Sequence, residues 1–401
     1  MTINIATKRL SLLQVLEPSG GGSGRHFLDL CRAMQRRGHS VTAVYSPVRA
    51  EAAFVAELEG MGLHSVIPLA MRRAPGPWDI SAWWRLRRIM GEHGPFHLVH
   101  GHSSKAGALT RLKLPGLHVP VIYTPHAFRT MDPTLGSKGR MIYGGIERLL
   151  GNWLTDRLIC VSRDEYNHAL SLGIPEDRLR IVVNGVGAPP AGQRTAIRAR
   201  YGIPEHALLF GFVGRLTPQK APERLVAAFA RIAAIMPRAH LLMIGVGPLA
   251  DTVRHMIAAA GLQGRAHLDD AIPGATAIDA FDIVVMPSRY EAMSYVMLEA
   301  AAGGKPLLLS DVGGARTVLE PGRNGYIVAN SDDPAELAMA MARFAEPSLL
   351  RRFTIAARHR RDGYTLAGMA DATEKIYFEL LGYPAPAPLP KPEEIILRSA
   401  S

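Results

Sequence analysis

Short runs of apolar residues alternate along the chain with longer segments in which apolar residues repeat at helical spacing. The run "LSLLQVLEP" is followed by the helical pattern "GRHFLDLCRAMQRRGH" and then by the run "SVTAVYSP". Further apolar runs predict strands: "FHLVHGH", "VPVIYTPH" and "DRLICVS" in the first half, and "LLFGFVGRL", "AHLLMIGVG", "DIVVMPS" and "KPLLLSD" in the second. Apolar strands interleaved with helices are typical of parallel sheets that are covered on both faces. The pattern therefore predicts an α/β protein with two doubly wound, Rossmann-like domains.

The two series of strands are separated by a segment rich in Gly and Pro, "NGVGAPPAGQRT". We predict an N-terminal domain over residues 1–188 and a C-terminal domain over residues 196–365. A last helix is predicted over residues 366–382, and it could cross back to the first domain. Residues 383–401 form a proline-rich tail, a composition that favours extended or disordered structure.

The charge is unevenly distributed along the chain. Lys and Arg number 46 against 35 Asp and Glu, and residues 1–190 hold 23 of the basic groups but only 14 of the acidic ones. A basic half suits an anionic partner, such as a phosphorylated substrate, a membrane surface or a nucleic acid. No apolar segment reaches the roughly 18 residues of a transmembrane helix, and the N-terminus indicates a strand rather than a signal peptide, so the expected location is cytoplasmic. The two cysteines, Cys31 and Cys160, are expected to be small buried side chains.

Two segments next to predicted strands carry groups that suit phosphate binding. The first is "EPSGGGSGRHF", in which Gly21 and Gly22 lie between a strand and a helix, where backbone N–H groups can approach an anion. The second is "GRLTPQKAPERL", where Arg215 and Lys220 could neutralise a diphosphate without a metal. A flexible turn and a solvated loop are the respective structural alternatives.

Histidines and a lysine follow two predicted strands of the first half. His100, His102 and Lys105 belong to "VHGHSSKAG", and His126 belongs to "YTPHAFRT". Their position at neighbouring strand ends predicts a polar cleft, although a single His is more often a structural hydrogen-bonding residue. The spacing of the His, Cys and carboxylate residues does not support a zinc site, so no metal is predicted.

The stretch "RYEAMSYVMLEA" places two glutamates around an apolar run. A strand, "FDIVVMPS", precedes it, and "SYVMLEAAAGG" is predicted as a helix that ends at two glycines. Glu291 is expected at the entrance of this helix, where free N–H groups attract anions. Glu299 is expected two turns further on, where an ordinary surface acid is the alternative.

Taken together, these segments resemble the retaining glycosyltransferases of family 4, which adopt the GT-B fold with two Rossmann-like domains facing a central cleft. The resemblance covers nearly the whole chain and is carried by motifs in order: the Gly21-Gly22 segment, "NGV", "GRL…QK", "GVGPL", the E-x7-E element of Glu291 and Glu299, and "SDVGGARTVLEPGRNGYIV". It implies a hexosyltransferase that uses a nucleotide sugar, either a UDP-sugar or GDP-mannose, and needs neither a metal nor another cofactor.

The resemblance also implies roles for single residues. Arg215 and Lys220 match the pair that holds the donor diphosphate, and Gly22 matches a glycine close to it. Glu291 matches the acid that contacts donor sugar hydroxyls and Glu299 the acid that binds the ribose. His126 matches the histidine beside the donor sugar. His102 and Lys105 are assigned to the acceptor side.

The chain departs from the family pattern at two positions. Ala221 follows the lysine where many relatives have Gly, and the Glu291 loop reads "EAMS" where Gly or Pro is common. Neither change removes a charged group, so activity is expected.

The acceptor and the cellular context follow only from resemblance and composition. "SSKAG" and "TPHA" look like segments of bacterial enzymes of exopolysaccharide or lipopolysaccharide synthesis, which implies a polyprenyl-diphosphate-linked or polysaccharide acceptor. Residues 71–90 interleave Arg with Trp and could contact an anionic membrane, in a peripheral attachment to its inner face. The alternative is an ordinary helix with Trp84 and Ile89 in the core and the arginines in water.

Other functions remain open on the sequence. An epimerase or a sugar-phosphate synthase would share the fold. A nicotinamide-dependent oxidoreductase lacks support because no G-x-G-x-x-G segment is found in the glycine-rich turn. Nucleic-acid binding is suggested by charge alone, and no recognition module is evident, so no nucleic-acid partner is predicted.

Overall fold

The computed structural model describes residues 8–113 and 119–384. Its strands are β1 (Ser11–Leu16), β2 (Ser40–Tyr45), β3 (Ser65–Pro68), β4 (Leu98–His102), β5 (Val121–Thr124), β6 (Arg157–Cys160), β7 (Leu179–Ile181), β8 (Leu208–Val213), β9 (Ala239–Ile244), β10 (Ala266–Asp269), β11 (Ile283–Met286), β12 (Leu307–Ser310) and β13 (Gly325–Val328). Most of the predicted proline-rich tail, residues 385–401, lies outside the described residues.

Helices connect these strands in nearly every interval. They are α1 (Gly21–Arg36), α2 (Ala52–Glu59), α3 (Trp78–His93), α4 (Ser103–Arg111), α5 (Ser137–Trp153), α6 (Arg163–Ser171), α7 (Arg194–Arg200), α8 (Pro222–Ile232), α9 (Ala250–Ala259), α10 (Gly274–Ala277), α11 (Tyr295–Ala302), α12 (Ala315–Val318), α13 (Ala335–Arg343), α14 (Pro347–Arg358) and α15 (Leu366–Leu380). Within the described ranges, no helix is both long and apolar enough to cross a membrane.

The chain divides into two compact units. Among the described residues, unit 1 comprises 8–113, 119–161, 165–185 and 366–384, and unit 2 comprises 162–164 and 186–365. Helix α15 therefore belongs to unit 1, where it packs against α1. Arg37, which follows α1, donates to Asp371 of α15 with 2.5 Å between its Nη2 and Oδ1.

Unit 1 is built on a seven-stranded parallel sheet in the order β3-β2-β1-β4-β5-β6-β7. One core cluster joins the strands to α1, α2 and α15 and includes Phe27 and Phe378, while a second joins them to α3 and α4 and includes Leu86. Both cysteines are buried, as predicted. Continuous apolar strands have the composition expected of a sheet covered on both faces.

Unit 2 is built on a six-stranded parallel sheet in the order β10-β9-β8-β11-β12-β13. Its core includes Phe210, Phe229 and Phe353. The strand order reverses between β8 and β11 here, and between β1 and β4 in unit 1. Ligands of open α/β sheets bind outside the carboxyl ends of the strands at such a reversal.

Candidate active site

Two cations predicted to bind phosphate follow β8 in unit 2. β8 ends at Val213, Arg215 is exposed in the turn that follows, and Lys220 lies just before the N-terminus of α8. Between Lys220 and this helix, Ala221 adopts a left-handed backbone with φ of 49°. Glycine reaches this conformation without steric cost, which explains why Gly suits the position that Ala221 fills.

Lys220 and Glu291 form a short ion pair. The Lys220 Nζ atom lies 2.6 Å from Oε1 of Glu291, and both side chains are largely withdrawn from solvent. Lys220 follows β8 and Glu291 follows β11, the two strands at which the order of the sheet reverses. The pair therefore occupies the position where a doubly wound sheet binds its ligand.

Backbone hydrogen bonds join the same two loops. The Arg289 N–H donates to the carbonyl oxygen of Gln219 over 2.8 Å, and the Gln219 side-chain amide donates to the carbonyl of Tyr290 over 3.1 Å. The Arg289 guanidinium also contacts Glu223 of α8 and Asp332. These contacts fix the loop of Lys220 relative to the loop of Glu291.

The two glutamates lie on different elements. Glu299 is buried in α11, whereas Glu291 lies in the loop before it. The helix begins at Tyr295 and is preceded by Ser294, so its free N–H groups follow Ser294. Glu291 thus lies in the loop three residues before Ser294, which is where the predicted start of the helix at Ser294 places it.

Glycines after β12 allow close packing against the Glu291 loop. A Cβ atom at Gly313 would lie 2.4 Å from the carbonyl oxygen of Glu291, and Gly314 has φ of 80° and lies near Met293. No side chain fits at Gly313 without displacing this backbone. The segment "SDVGGARTV" thus supports the position of Glu291.

Arg215 differs from Lys220 in having no partner of opposite charge. Within the described residues, no carboxylate lies within 4.0 Å of its guanidinium. An exposed cation beside the Lys220–Glu291 pair is available to an anion. This is the electrostatic arrangement that a diphosphate site requires.

The glycine-rich segment of unit 1 begins α1 instead of forming a separate loop. Gly20 precedes the helix, and Gly21 and Gly22 are its first residues. The Gly21 N–H donates to Oε1 of Glu51 over 3.1 Å. A carboxylate thus contacts the helix end at which an anion was predicted. A phosphate can take that position only when the Glu51 side chain moves.

A buried hydrogen-bond network surrounds the histidines of unit 1. The ring nitrogens of His102 lie 2.8 Å from Oε1 of Gln14 and 3.2 Å from Nε2 of His126. Those of His100 lie 2.7 Å from the Tyr377 hydroxyl and 2.8 Å from Oγ1 of Thr124. His100 and His102 are fully buried in β4, so the predicted open cleft is not found around these two histidines.

Burial keeps these imidazoles neutral. It lowers the pKa of His26 to about 4, and the neighbouring Asn184 side chain opposes this shift. Burial, followed by the neighbouring imidazoles, also holds the pKa values of His100, His102 and His126 well below the ordinary value. The cluster therefore offers neutral donors and acceptors rather than cations near neutral pH.

His126 lies on a strained turn that Glu165 supports. His126 and Ala127 have φ values of 54° and 84°, which are uncommon for residues other than glycine. The Glu165 carboxylate accepts hydrogen bonds from the N–H groups of Ala127 and Val161, and each N···O distance is 2.7 Å. Burial raises the pKa of Glu165 to about 7, against the lowering effect of these two hydrogen bonds. Glu165 thereby ties the turn of His126 to the end of β6.

Three of the histidines lie close enough to consider a metal. One ring nitrogen each of His26, His102 and His126 lies within 4.8 Å of the others. Both nitrogens of His102 already make hydrogen bonds, whereas Nδ1 of His26 has no partner among the described residues. The expectation of a metal-free reaction stays a prediction.

Lys105 makes its contacts with α3 and not with the histidines. Its ammonium lies 2.6 Å from Oδ2 of Asp79 and donates to the carbonyl of Ala74. The side chain is buried and its charge is compensated. The structure thus brings His102 and His126 together but gives Lys105 a separate ion pair.

The Arg and Trp residues of 71–90 are neither all exposed for a membrane contact nor arranged as an ordinary helix with Trp84 in the core and the arginines in water. Trp84 is 57% exposed and does not lie in the core, while Ile89 is buried. Arg87 is not in water, because its guanidinium is buried and donates to the carbonyls of Leu109 and Leu112. The reason is the C-terminal end of α4, whose free carbonyls attract a cation.

Three residues that contact the histidines or their turn were not predicted from the sequence: Gln14, Tyr377 and Glu165. Gln14 is a polar residue inside an otherwise apolar strand, and this interruption is a readable signal. Tyr377 has no such signal, because it contacts His100 from the distant helix α15. Glu165 has none because it binds a backbone N–H group, that of Ala127, rather than a side chain.

Comparisons with known proteins agree with this architecture. A family model described as Glycosyltransferase Family 4 matches residues 20–188, and one described as Glycosyl transferases group 1 matches residues 193–360. The structure of Anabaena Alr3699/HepE in complex with UDP and glucose superposes with a TM-score of 0.77 at 17% identity, covering 92% of this chain and all of that one.

Curated relatives define the class further. The D-inositol 3-phosphate glycosyltransferase of Kribbella flavida is 30% identical over 321 residues, which cover 72% of this chain and 74% of the relative. The enzyme of the same name from Corynebacterium diphtheriae is 25% identical over 405 residues, 94% of this chain and 95% of the relative. The fold and the site thus define a glycosyltransferase with the GT-B fold. The chain belongs to glycosyltransferase family 4.

Proposed function

We propose that this glycosyltransferase transfers a hexose from a nucleotide sugar, with retention of the anomeric configuration. The Lys220–Glu291 pair carries the proposal, because it places a cation and a carboxylate 2.6 Å apart at the strand reversal of unit 2. Arg215 provides a second cation without a partner carboxylate within the described residues. Such a set suits a diphosphate joined to a sugar.

The proposed roles follow the chemistry of each group. The donor diphosphate draws the Lys220 ammonium away from Glu291 and also binds Arg215, and the N–H groups at Gly21 and Gly22 add donors to the phosphate. Glu291 then accepts hydrogen bonds from sugar hydroxyls, while Glu299 binds the ribose. His126, neutral at neutral pH, hydrogen-bonds the sugar beside the anomeric carbon, and His102 holds its imidazole.

The reaction is proposed to take place on one face of the sugar. The bond from the anomeric carbon to the phosphate oxygen breaks, and the acceptor oxygen bonds to the same carbon from the same side. The acceptor proton passes to the leaving phosphate oxygen. Arg215 and Lys220 stabilise the negative charge that develops on the diphosphate, the usual role of preorganised cations in transfer enzymes.

Two acceptor classes are considered. The first is a polyprenyl-diphosphate-linked oligosaccharide or a polysaccharide, supported by the excess of basic residues in 1–190. The second is a phosphorylated cyclitol, supported by the names of the relatives in Kribbella and Corynebacterium. We place the lipid-linked acceptor first. Assaying purified enzyme with inositol 3-phosphate and, separately, with polyprenyl-diphosphate-linked sugars decides between them.

The donor site is tested by substitution at the ion pair. We expect Lys220→Ala and Glu291→Gln each to lower kcat/KM by about 100-fold or more, because a charge that acts on the transition state is lost. Arg254→Ala, which removes an exposed ion pair of unit 2 with Asp251, is the matched control and should leave the rate unchanged. Near-normal rates in both site variants would refute the assignment.

Product analysis tests the reaction type. Retention predicts that the product linkage has the anomeric configuration of the donor, measured by NMR. A trapped covalent glycosyl–protein adduct would contradict the single-face reaction. Conversion of the donor to an epimer without acceptor would identify an epimerase instead. Thermal shifts with UDP, GDP and ADP and their sugars identify the nucleotide, because selective binding raises Tm.

A metal-free reaction is also part of the proposal. Arg215 and Lys220 supply two positive charges for the diphosphate, so no divalent cation is required to neutralise it. Dialysis against EDTA should leave the transfer rate unchanged. A loss of activity that Mg²⁺, Mn²⁺ or Zn²⁺ restores would contradict this.

A further inference from the structure

Helix α5 of unit 1 is apolar on the side that faces solvent. Its inner side is buried at Glu147, Leu150 and Gly151. Its outer side exposes five large apolar residues, with 42–78% of each side chain accessible: Met141, Ile142, Ile146, Leu149 and Trp153. A surface helix of a globular protein normally presents polar residues outward. An outer apolar face needs a partner.

The spacing makes these five residues one continuous face. At about 100° per residue they fall within an arc of roughly 140°, which Lys138, Gly145 and Asn152 share, on the side opposite Glu147 and Gly151. The face runs from Met141 to Trp153, which is about 18 Å along the helix axis at about 1.5 Å per residue. Isolated exposed apolar side chains are common on proteins, but an ordered face of this length marks an interaction site.

The charged residues that α5 itself exposes all have one sign. Lys138, Arg140 and Arg148 of α5 are exposed. The helix contains a single acidic residue, Glu147, which is buried and whose Oε2 lies 2.9 Å from the Arg111 guanidinium. The exposed part of α5 thus combines apolar side chains with cations and has no carboxylate.

A second copy of the chain would fit this face poorly. Lys138 lies within the arc of this face and Arg148 at its edge, so a second copy packed there would enclose cations of both copies, and like charges across an interface oppose association. An anionic bilayer satisfies both features, because the apolar face enters the acyl boundary while the cations contact lipid phosphates. A tryptophan at one end, Trp153, is typical of helices at that boundary.

We propose that the outer face of α5 is a docking surface for an anionic lipid bilayer. The surface lies outside residues 71–90, the stretch for which membrane contact was predicted. The proposal goes beyond the donor and acceptor roles, and it does not depend on them, because binding to vesicles requires neither substrate.

Co-flotation of the full chain with vesicles tests the surface. We expect binding to vesicles that contain phosphatidylglycerol and weak binding to pure phosphatidylcholine. Met141→Gln with Leu149→Gln should lower the partition coefficient by about tenfold or more, because two apolar groups no longer enter the bilayer. Ile235→Gln with Ile355→Gln, at exposed positions of unit 2, is the matched control and should bind normally.

A charge variant separates the two contributions. Lys138→Gln with Arg148→Gln should weaken binding to anionic vesicles about fivefold or more while leaving binding to neutral vesicles unchanged. All four substituted side chains of α5 are exposed, and an unchanged Tm will show that the fold is kept. Normal binding by both α5 variants would overturn the proposal. So would a chain that does not float but changes from dimer to monomer in sedimentation when Met141 and Leu149 are replaced.

Discussion

Lys220 and Glu291 compensate each other's charge in the absence of a donor. Both side chains are mostly buried, at 12% and 7% exposure, and an unpaired charge there is costly. Each member of the pair therefore compensates the buried charge of the other. The proposed diphosphate and sugar hydroxyls then replace each partner with another, so neither charge is left uncompensated.

Glu51 has the opposite relation to the proposed ligand. Its carboxylate accepts a hydrogen bond from the Gly21 N–H, a group that is also proposed to donate to the donor phosphate. We expect Glu51→Gln to raise the affinity for the nucleoside diphosphate about two- to fivefold, because a like charge near the phosphate is removed. Isothermal titration with UDP or GDP measures this. Glu57→Gln on α2 is the control, since Glu57 pairs with Arg32 instead. Unchanged or weaker affinity would exclude Gly21 from the phosphate site.

Gly245 shows how closely the loops after β8 and β9 pack in unit 2. It has φ of 156°, and a Cβ atom would lie 1.9 Å from the carbonyl oxygen of Gly214, next to Arg215. Gly245→Ala should lower the free energy of unfolding by about 2 kcal/mol or more. Gly264→Ala is the control, because its Cβ would meet no atom within 4 Å. Equal melting temperatures of the two variants would contradict this packing.

At the scale of elements, α15 follows unit 2 in the sequence but packs in the core of unit 1. Its Tyr377 hydroxyl contacts His100 of β4 and accepts from the Gln14 side-chain amide of β1 over 3.1 Å. Its Glu374 carboxylate lies 2.7 Å from Nε2 of His39. Helix α15 therefore supplies hydrogen bonds to His100 and Gln14, and Gln14 also contacts His102 of the histidine cluster.

Removal of the Tyr377 hydroxyl tests this support. Tyr377→Phe leaves buried groups of Gln14 and His100 without a partner, so we expect the free energy of unfolding to fall by about 1–3 kcal/mol. Tyr45→Phe is the control, because the Tyr45 hydroxyl makes only a long, 3.4 Å contact with Glu59. Denaturant titration of both variants gives the comparison. A smaller loss at Tyr377 than at Tyr45 would argue against the network.

The strands show what sequence could predict. The nine apolar runs correspond to the interior strands of the two sheets, where both faces are covered and the residues are almost all apolar. The four strands that the runs miss are β3, β7, β10 and β13, which form the edges. Their side chains are partly exposed, as in "SVIP" and "AHLD", so no apolar run marks them.

The site follows the same rule. Residues next to interior strand ends, such as Lys220, Glu291 and His126, could be chosen from their position in the sequence. Glu165 could not, because it contributes through hydrogen bonds to backbone N–H groups that no residue type reveals. The Lys105–Asp79 pair was also unpredictable, since it depends on how α3 packs on α4.

At the scale of the whole molecule, both units place polar groups at the carboxyl ends of the strands beside the reversal, but with different chemistry. Unit 2 has charged groups there, with Arg215, Lys220 and Glu291. Unit 1 has neutral imidazoles in a buried network. Buried neutral histidines make stability sensitive to acid below the pKa of a free imidazole, because the unfolded chain then takes up protons that the folded chain does not.

Acid should therefore destabilise unit 1. The folded pKa of His26 is lowered to about 4, and those of His100, His102 and His126 are also low, so the unfolded chain takes up protons first as pH falls below 6.5. Each such group lowers the unfolding free energy by about 1.4 kcal/mol per pH unit in that window. Glu165 acts oppositely, because its folded pKa of about 7 lies above that of the free acid.

The net result is a fall of roughly 4 kcal/mol per pH unit between pH 6 and 5 for unit 1, because four histidines opposed by one carboxyl leave about three protons at about 1.4 kcal/mol each. Denaturant titrations at half-unit pH intervals measure this slope. His26→Gln should reduce the slope by about one proton, since its Nδ1 has no partner to lose within the described residues. Glu165→Gln should make the slope steeper. A stability that stays level from pH 7 to 5 in the unchanged chain would show that the histidines are protonated in the folded state.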